Sequence, residues 1–122
     1  MLVVHRFIVA GGGGEPFLDR ARAAVAALAG RPGYQGGWIG RAPDEPSAWI
    51  VATAWDGVGS YRRALSSYDA KVGAHPLLAE ADGGPSAFEV IYADVPGAPP
   101  RERDSGLADD AATASPGQRV EG

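Results

Sequence analysis

The chain has no cysteine and one methionine among its 122 residues. Without cysteine there are no disulfides, no thiolate metal site and no thiol nucleophile. With two histidines in all, a closed zinc site is also disfavoured. Basic residues are in the minority, 11 against 15 acidic ones, for a net charge of -4. That balance argues against a nucleic-acid surface. No apolar run approaches the roughly 20 residues of a membrane span. The opening MLVVHRFIV lacks the charged region, apolar stretch and cleavage site of a signal peptide. These features together read as a cytoplasmic protein with no nucleic-acid partner, no membrane association and no bound metal.

What is abundant is punctuation: 18 glycines and 10 prolines. The length suits one domain. Residues 96–122 carry Pro, Gly, Ala and mixed charge, with almost nothing large and apolar. They read as a flexible tail, with Leu107 and Val120 as the plausible anchors if it docks. The remaining domain, residues 1–95, divides cleanly.

Leu2–Ala10 reads as a strand with apolar residues on both faces: Val3, His5, Phe7 and Val9 on one, Leu2, Val4, Arg6 and Ile8 on the other. Gly11–Gly14 breaks it. The four glycines lack the following G-K-[ST] or G-x-G-x-x-G context of a phosphate loop and read as a connector. Glu15-Pro16 opens a helix whose buried stripe is Phe17, Ala21, Ala24, Val25 and Leu28. Gly30 and Pro32-Gly33 end it. Tyr34–Arg41 is a second strand, residues 42–46 a proline-bounded turn, and Ala48–Trp55 a third strand.

That third strand has a large face, Trp49, Val51, Thr53 and Trp55, and a small face, Ala48, Ile50, Ala52 and Ala54. The small face suggests close approach of a helix. Val58, Tyr61, Leu65 and Tyr68 space a second helix. An irregular stretch through His75-Pro76 follows, and Ala87–Val95 reads as the closing strand. The order β-α-β-β-α-β defines an α+β, ferredoxin-like fold: a four-stranded antiparallel sheet with helices on one face. The other sheet face is apolar yet bare, and a second copy of the chain is its simplest cover.

Pro32-Gly33-Tyr34 at the entry of the second strand, and Trp55-Asp56 ahead of an aromatic-led helix, resemble the antibiotic biosynthesis monooxygenase family over roughly residues 2–95. The resemblance implies a dimeric α/β barrel: a homodimer through the open sheet face, with an apolar pocket for a small aromatic or polyketide-like molecule. It further implies cofactor-independent oxidation, in which a deprotonated phenol reacts directly with dioxygen. His5 is then the candidate base or hydrogen-bonder, with Trp55 and Tyr61 as catalytic-pocket walls. Phe7, Val51, Thr53, Leu65 and His75 are candidate substrate contacts. The bland alternative for most of these is simple core packing, with the barrel sequestering a hydrophobic molecule without turning it over. A heme-degrading branch of the same barrel uses a ligand histidine that falls within a residue of His75. Its distal Asn and Trp fall near His5 and Ala64, so only one of those three features is kept.

Overall fold

The computed structural model describes residues 1–102. The expected anchors Leu107 and Val120, with the rest of the expected tail beyond residue 102, lie outside the described residues. The chain forms two compact units, Met1–Phe88 and Glu89 onward.

In the first unit, β1 (Leu2–Ile8), β2 (Tyr34–Arg41), β3 (Ala48–Trp55) and β4 (Ala87–Phe88) form one antiparallel sheet in the order β2-β3-β1-β4. This is the ferredoxin-like strand order expected from the sequence. The register sets His5 opposite Val51, Phe7 opposite Trp49 and Val3 opposite Thr53. Side chains alternate along a strand, so these six residues share one face. Val3, Phe7, Trp49, Val51, Thr53 and Trp55 are all buried there.

Helix α1 (Gly14–Ala29) covers that face with Phe17, Ala21, Ala24 and Leu28 buried. Their 3-4 spacing is why this segment is helical and why it lies down on the sheet. The helix therefore packs on the large-residue face of β3, which corrects the expectation that it would lie over the small one. The reason is fit: α1 sets Phe17 against Phe7 and Trp49, and its small Ala21 and Ala24 are buried on the same stripe. Gly73 continues this close packing, since a Cβ there would stand 3.0 Å from the Ala27 methyl.

The second helical region is three short pieces: α2 (Val58–Leu65), α3 (Tyr68–Gly73) and α4 (His75–Leu78). The expected stripe through Tyr68 is broken. Ser67 caps α3 by accepting the Ala70 N–H at 3.2 Å, which makes Tyr68 the first residue of a new helix, and Tyr68 is exposed.

The closing strand is also shorter than expected. Only Ala87–Phe88 pairs with β1, at Val3 and Leu2. Continuing this antiparallel register past Phe88 runs beyond the paired length of β1. Before Ala87, the 82–86 segment follows β1 irregularly, through Asp82 N–H to the Arg6 carbonyl at 2.7 Å and Val4 N–H to the Ser86 carbonyl at 2.7 Å. Pro85 has no N–H for a ladder, and Gly84 adopts φ +100, so a regular strand does not form there.

In the second unit, β5 (Tyr92–Ala93) pairs with β6 (Arg101–Glu102). Gly97 at φ +88 lies in the connection. Residues 96–102, expected to belong to a flexible tail, thus supply the connection and return strand of a small hairpin.

Candidate functional site

Two aromatic groups form on the helix-side face of the sheet, one at each end of β3. At one end Trp55 lies 5.4 Å from Tyr34, edge to face, and 5.5 Å from Tyr61. At the other end Phe17 bridges Phe7 at 5.0 Å and Trp49 at 5.3 Å, and the Arg41 guanidinium sits 5.2 Å over the Trp49 ring. His5 lies between the groups, on the Val51 rung. Its ring is half-buried, and among the described residues it makes no side-chain hydrogen bond. Burial pushes its pKa below the ordinary histidine value, because the imidazolium loses hydration while the neutral ring loses little. The structure thus places a neutral, unengaged imidazole on the helix-side face of the sheet, where it lines neither of the cavities described below.

Trp55 is fully buried, and its indole N–H donates to the Thr53 Oγ1 at 2.8 Å. It is a core residue whose donor is already spent on a neighbour. Tyr61 packs against it and is itself buried. Burial raises the Tyr61 pKa, which keeps its phenol protonated. Thr53 accepts from Trp55 and retains its own hydroxyl proton. On the sheet it is the diagonal neighbour of His5, a separation of about 7–8 Å. Leu65 is half-buried at the end of α2 and packs on the core.

His75 is exposed, with its Nε2 2.8 Å from the Leu65 carbonyl. Leu65 is the last residue of α2, so the imidazole satisfies one of the carbonyls a helix end leaves open. His75 is a helix cap, not a pocket residue brought to His5. No cluster of three or more metal-ligating side chains occurs among the described residues. Nor is any described helix long and apolar enough to cross a membrane.

Two cavities lie near the Phe7 end of the sheet. One, about 250 Å³, opens between β1 and α1, over Phe7, Phe17, Val9 and Pro16, with Arg20 and Glu80 at its rim. The other, about 440 Å³, lies toward the bare sheet face and includes Arg6, Ile8, Ile50, Glu45 and Asp82. Of the expected substrate contacts, Phe7 lines both. Arg20 and Glu80 were invisible as a pair in the sequence, where Arg20 reads as part of the solvent face of a helix and Glu80 stands 60 residues away.

No family model and no curated protein matches the sequence. Solved structures do. SnoaB, a cofactor-independent oxygenase from Streptomyces nogalater, is 25% identical over 74% of this chain and 94% of its own, with a TM-score of 0.57. A single-site mutant of the same oxygenase is 26% identical over 66% of this chain and 82% of its own, at the same TM-score. Other solved structures that this chain resembles are named as antibiotic biosynthesis monooxygenases. A protein named as a candidate antibiotic biosynthesis monooxygenase from Chloroflexus aurantiacus matches 73% of this chain and 91% of its own at 17% identity and a TM-score of 0.55. At that identity the likeness is one of fold. The antibiotic biosynthesis monooxygenase resemblance read from Pro32-Gly33-Tyr34 and Trp55-Asp56 therefore stands, and so does the ferredoxin-like plan.

Proposed function

We propose that this protein is a homodimeric, cofactor-independent monooxygenase acting on a small aromatic or polyketide-like compound, with His5 as its base. The observation that carries this reading is the state of His5. It is a neutral imidazole, half-buried on the helix-side face of the sheet and without a hydrogen-bond partner among the described residues. A base needs that state before reaction. The named activity of SnoaB, at 25% identity, supports the reaction class.

His5 takes the phenolic proton, and the resulting phenolate is electron-rich enough to react with dioxygen. One oxygen atom becomes the second carbonyl oxygen of a quinone, and the other leaves as water with the phenolic proton and the hydrogen of that ring carbon. The substrate supplies both electrons. Phe7 and Val51 flank His5 as apolar contacts. The Thr53 hydroxyl proton is available to an oxyanion developing near that rung. Trp55, Tyr61 and Leu65 hold the wall behind these groups.

The partner is a second copy. Leu2, Ile8, Trp38, Ile50 and Phe88 are all exposed large apolar residues, and the register places them on the sheet face away from α1.

A second reading, a barrel that binds a small hydrophobic molecule without converting it, draws support from Trp55 and Tyr61, both of which serve the core. Oxygen uptake with hydroxylated aromatic substrates separates the two. Under the first reading a His5→Gln variant loses about 10²-fold or more in kcat while remaining folded. Undiminished turnover in His5→Gln removes His5 as the base. Binding without oxygen uptake by the unmodified protein supports the second reading.

A further inference from the structure

The rim of the 250 Å³ cavity carries a guanidinium whose fork is already set for a carboxylate. Arg20 donates from its two terminal nitrogens to the two carboxylate oxygens of Glu80, at 3.1 and 2.6 Å. This is the planar, bidentate pairing that distinguishes Arg from Lys as a carboxylate receptor. The pair ties α1 to the segment after α4. Both side chains are about half exposed, 48% and 54%, so water and salt compete for it and the pair opens at little cost.

Beneath this rim the lining mixes apolar side chains with polar groups. Phe7 and Phe17 form a tilted aromatic floor with centroids 5.0 Å apart, and Val9 and Pro16 close the sides. Arg20 and Glu80 are the charged residues on its lining. A cavity of about 150 Å³ accepts a benzene ring. The 250 Å³ here therefore holds one ring with a short charged arm, and falls below the usual range for drug-sized ligands.

We infer that this cavity is a binding site for a single-ring aromatic carboxylate, which places its ring over Phe7 and Phe17 and displaces Glu80 from Arg20. Glu80 is the resident stand-in for the ligand's carboxylate. Exchange trades one bidentate ion pair for another, so the ionic part of the balance is nearly neutral, and burial of the ring supplies the driving force. A neutral ring of the same size gains the burial but leaves the Glu80 pair in place and finds no partner for its polar arm. Selectivity for the acid over its amide follows from that difference. The site shares Phe7 with the pocket assigned to His5, but its occupancy is read as binding and does not depend on turnover.

The test is calorimetric titration of the full chain with benzoate, phenylacetate and benzamide at low ionic strength. Benzoate or phenylacetate is expected to bind at least ten-fold more tightly than benzamide. Arg20→Gln is expected to abolish that preference. Glu80→Gln, which removes the resident competitor and leaves Arg20 free, is expected to tighten acid binding by roughly two- to five-fold. This gain is the decisive readout, because a pair that merely staples α1 to the 78–82 segment would weaken binding when broken. Circular dichroism confirms that both variants remain folded. No binding of either acid, equal binding of acid and amide, or weaker acid binding by Glu80→Gln overturns the inference.

Discussion

His5 shows how one side chain reports on its surroundings. Its pKa is lowered by burial, so the folded protein binds a proton less readily than the unfolded chain does. The histidine contribution to stability is therefore undiminished above the ordinary value of about 6.5. It is lost progressively as pH falls from there through the lower folded value. Urea unfolding at pH 7.5 and 5.5 is expected to show a loss of stability at the lower pH that shrinks in His5→Gln. An NMR titration is expected to place the His5 midpoint below 6.5.

Gly33 makes a different residue-scale point. It stands at φ +91, and an added Cβ would meet the Asp56 Oδ1 at 2.6 Å and the Ser60 side chain. Its carbonyl accepts the Asp56 N–H at 2.9 Å, which joins the entry of β2 to the exit of β3. The Pro-Gly-Tyr signature thus has a steric cause. Gly33→Ala is expected to cost at least about 1–2 kcal/mol from the left-handed backbone alone, read from the denaturation midpoint. Thr53→Val is expected to cost about 1–3 kcal/mol, because it strands the buried Trp55 N–H.

Among the elements, β2 and β3 were legible to the residue, and so was the buried stripe of α1 except for Val25, which is only partly buried. Their boundaries coincide with strong punctuation, Pro32-Gly33 before β2 and Asp56-Gly57 after β3. The failures came where two local signals compete. Val58, Tyr61, Leu65 and Tyr68 keep a helical spacing, but Ser66-Ser67 interrupts it with a cap that spacing alone does not reveal. The Ala87–Val95 alternation is a sound strand pattern, yet strand length is fixed by the partner's register, which no local pattern contains. The site was legible only in part for the same reason. His5 could be placed on a face by alternation, whereas the Trp55–Thr53 bond and the Arg20–Glu80 pair depend on tertiary geometry. At this scale the Ser67 cap is testable. Ser67→Ala is expected to lower stability by about 1 kcal/mol, and His75→Ala to loosen the α2 end. If His75 serves as a cap and not as an iron ligand, hemin added to the unmodified protein gives no histidine-ligated Soret band, and His75→Ala changes nothing in that spectrum.

For the whole molecule the deciding feature is the bare face of the sheet. Its strands carry small residues in the middle, Ala48, Ala52, Ala54, Gly36 and Gly40, and large apolar ones around them, with Trp38 56% and Ile8 64% exposed. A lone chain gains nothing from holding an indole in water, and contiguous apolar patches of this kind mark contact surfaces. The small residues let a second sheet approach closely, while Trp38, Ile50 and Phe88 supply area to bury. Light scattering coupled to gel filtration is expected to give twice the 12.5 kDa chain mass. Trp38→Glu is expected to halve it, since an ionised carboxylate is costly to bury against the apolar residues of another sheet. Because Trp38 is already in solvent within one chain, the charge costs the isolated fold little, and the variant is expected to remain folded as a monomer. A Trp38→Glu protein that stays dimeric would place the interface on another surface. One that unfolds on dissociation would show that the sheet needs its partner to stand at all.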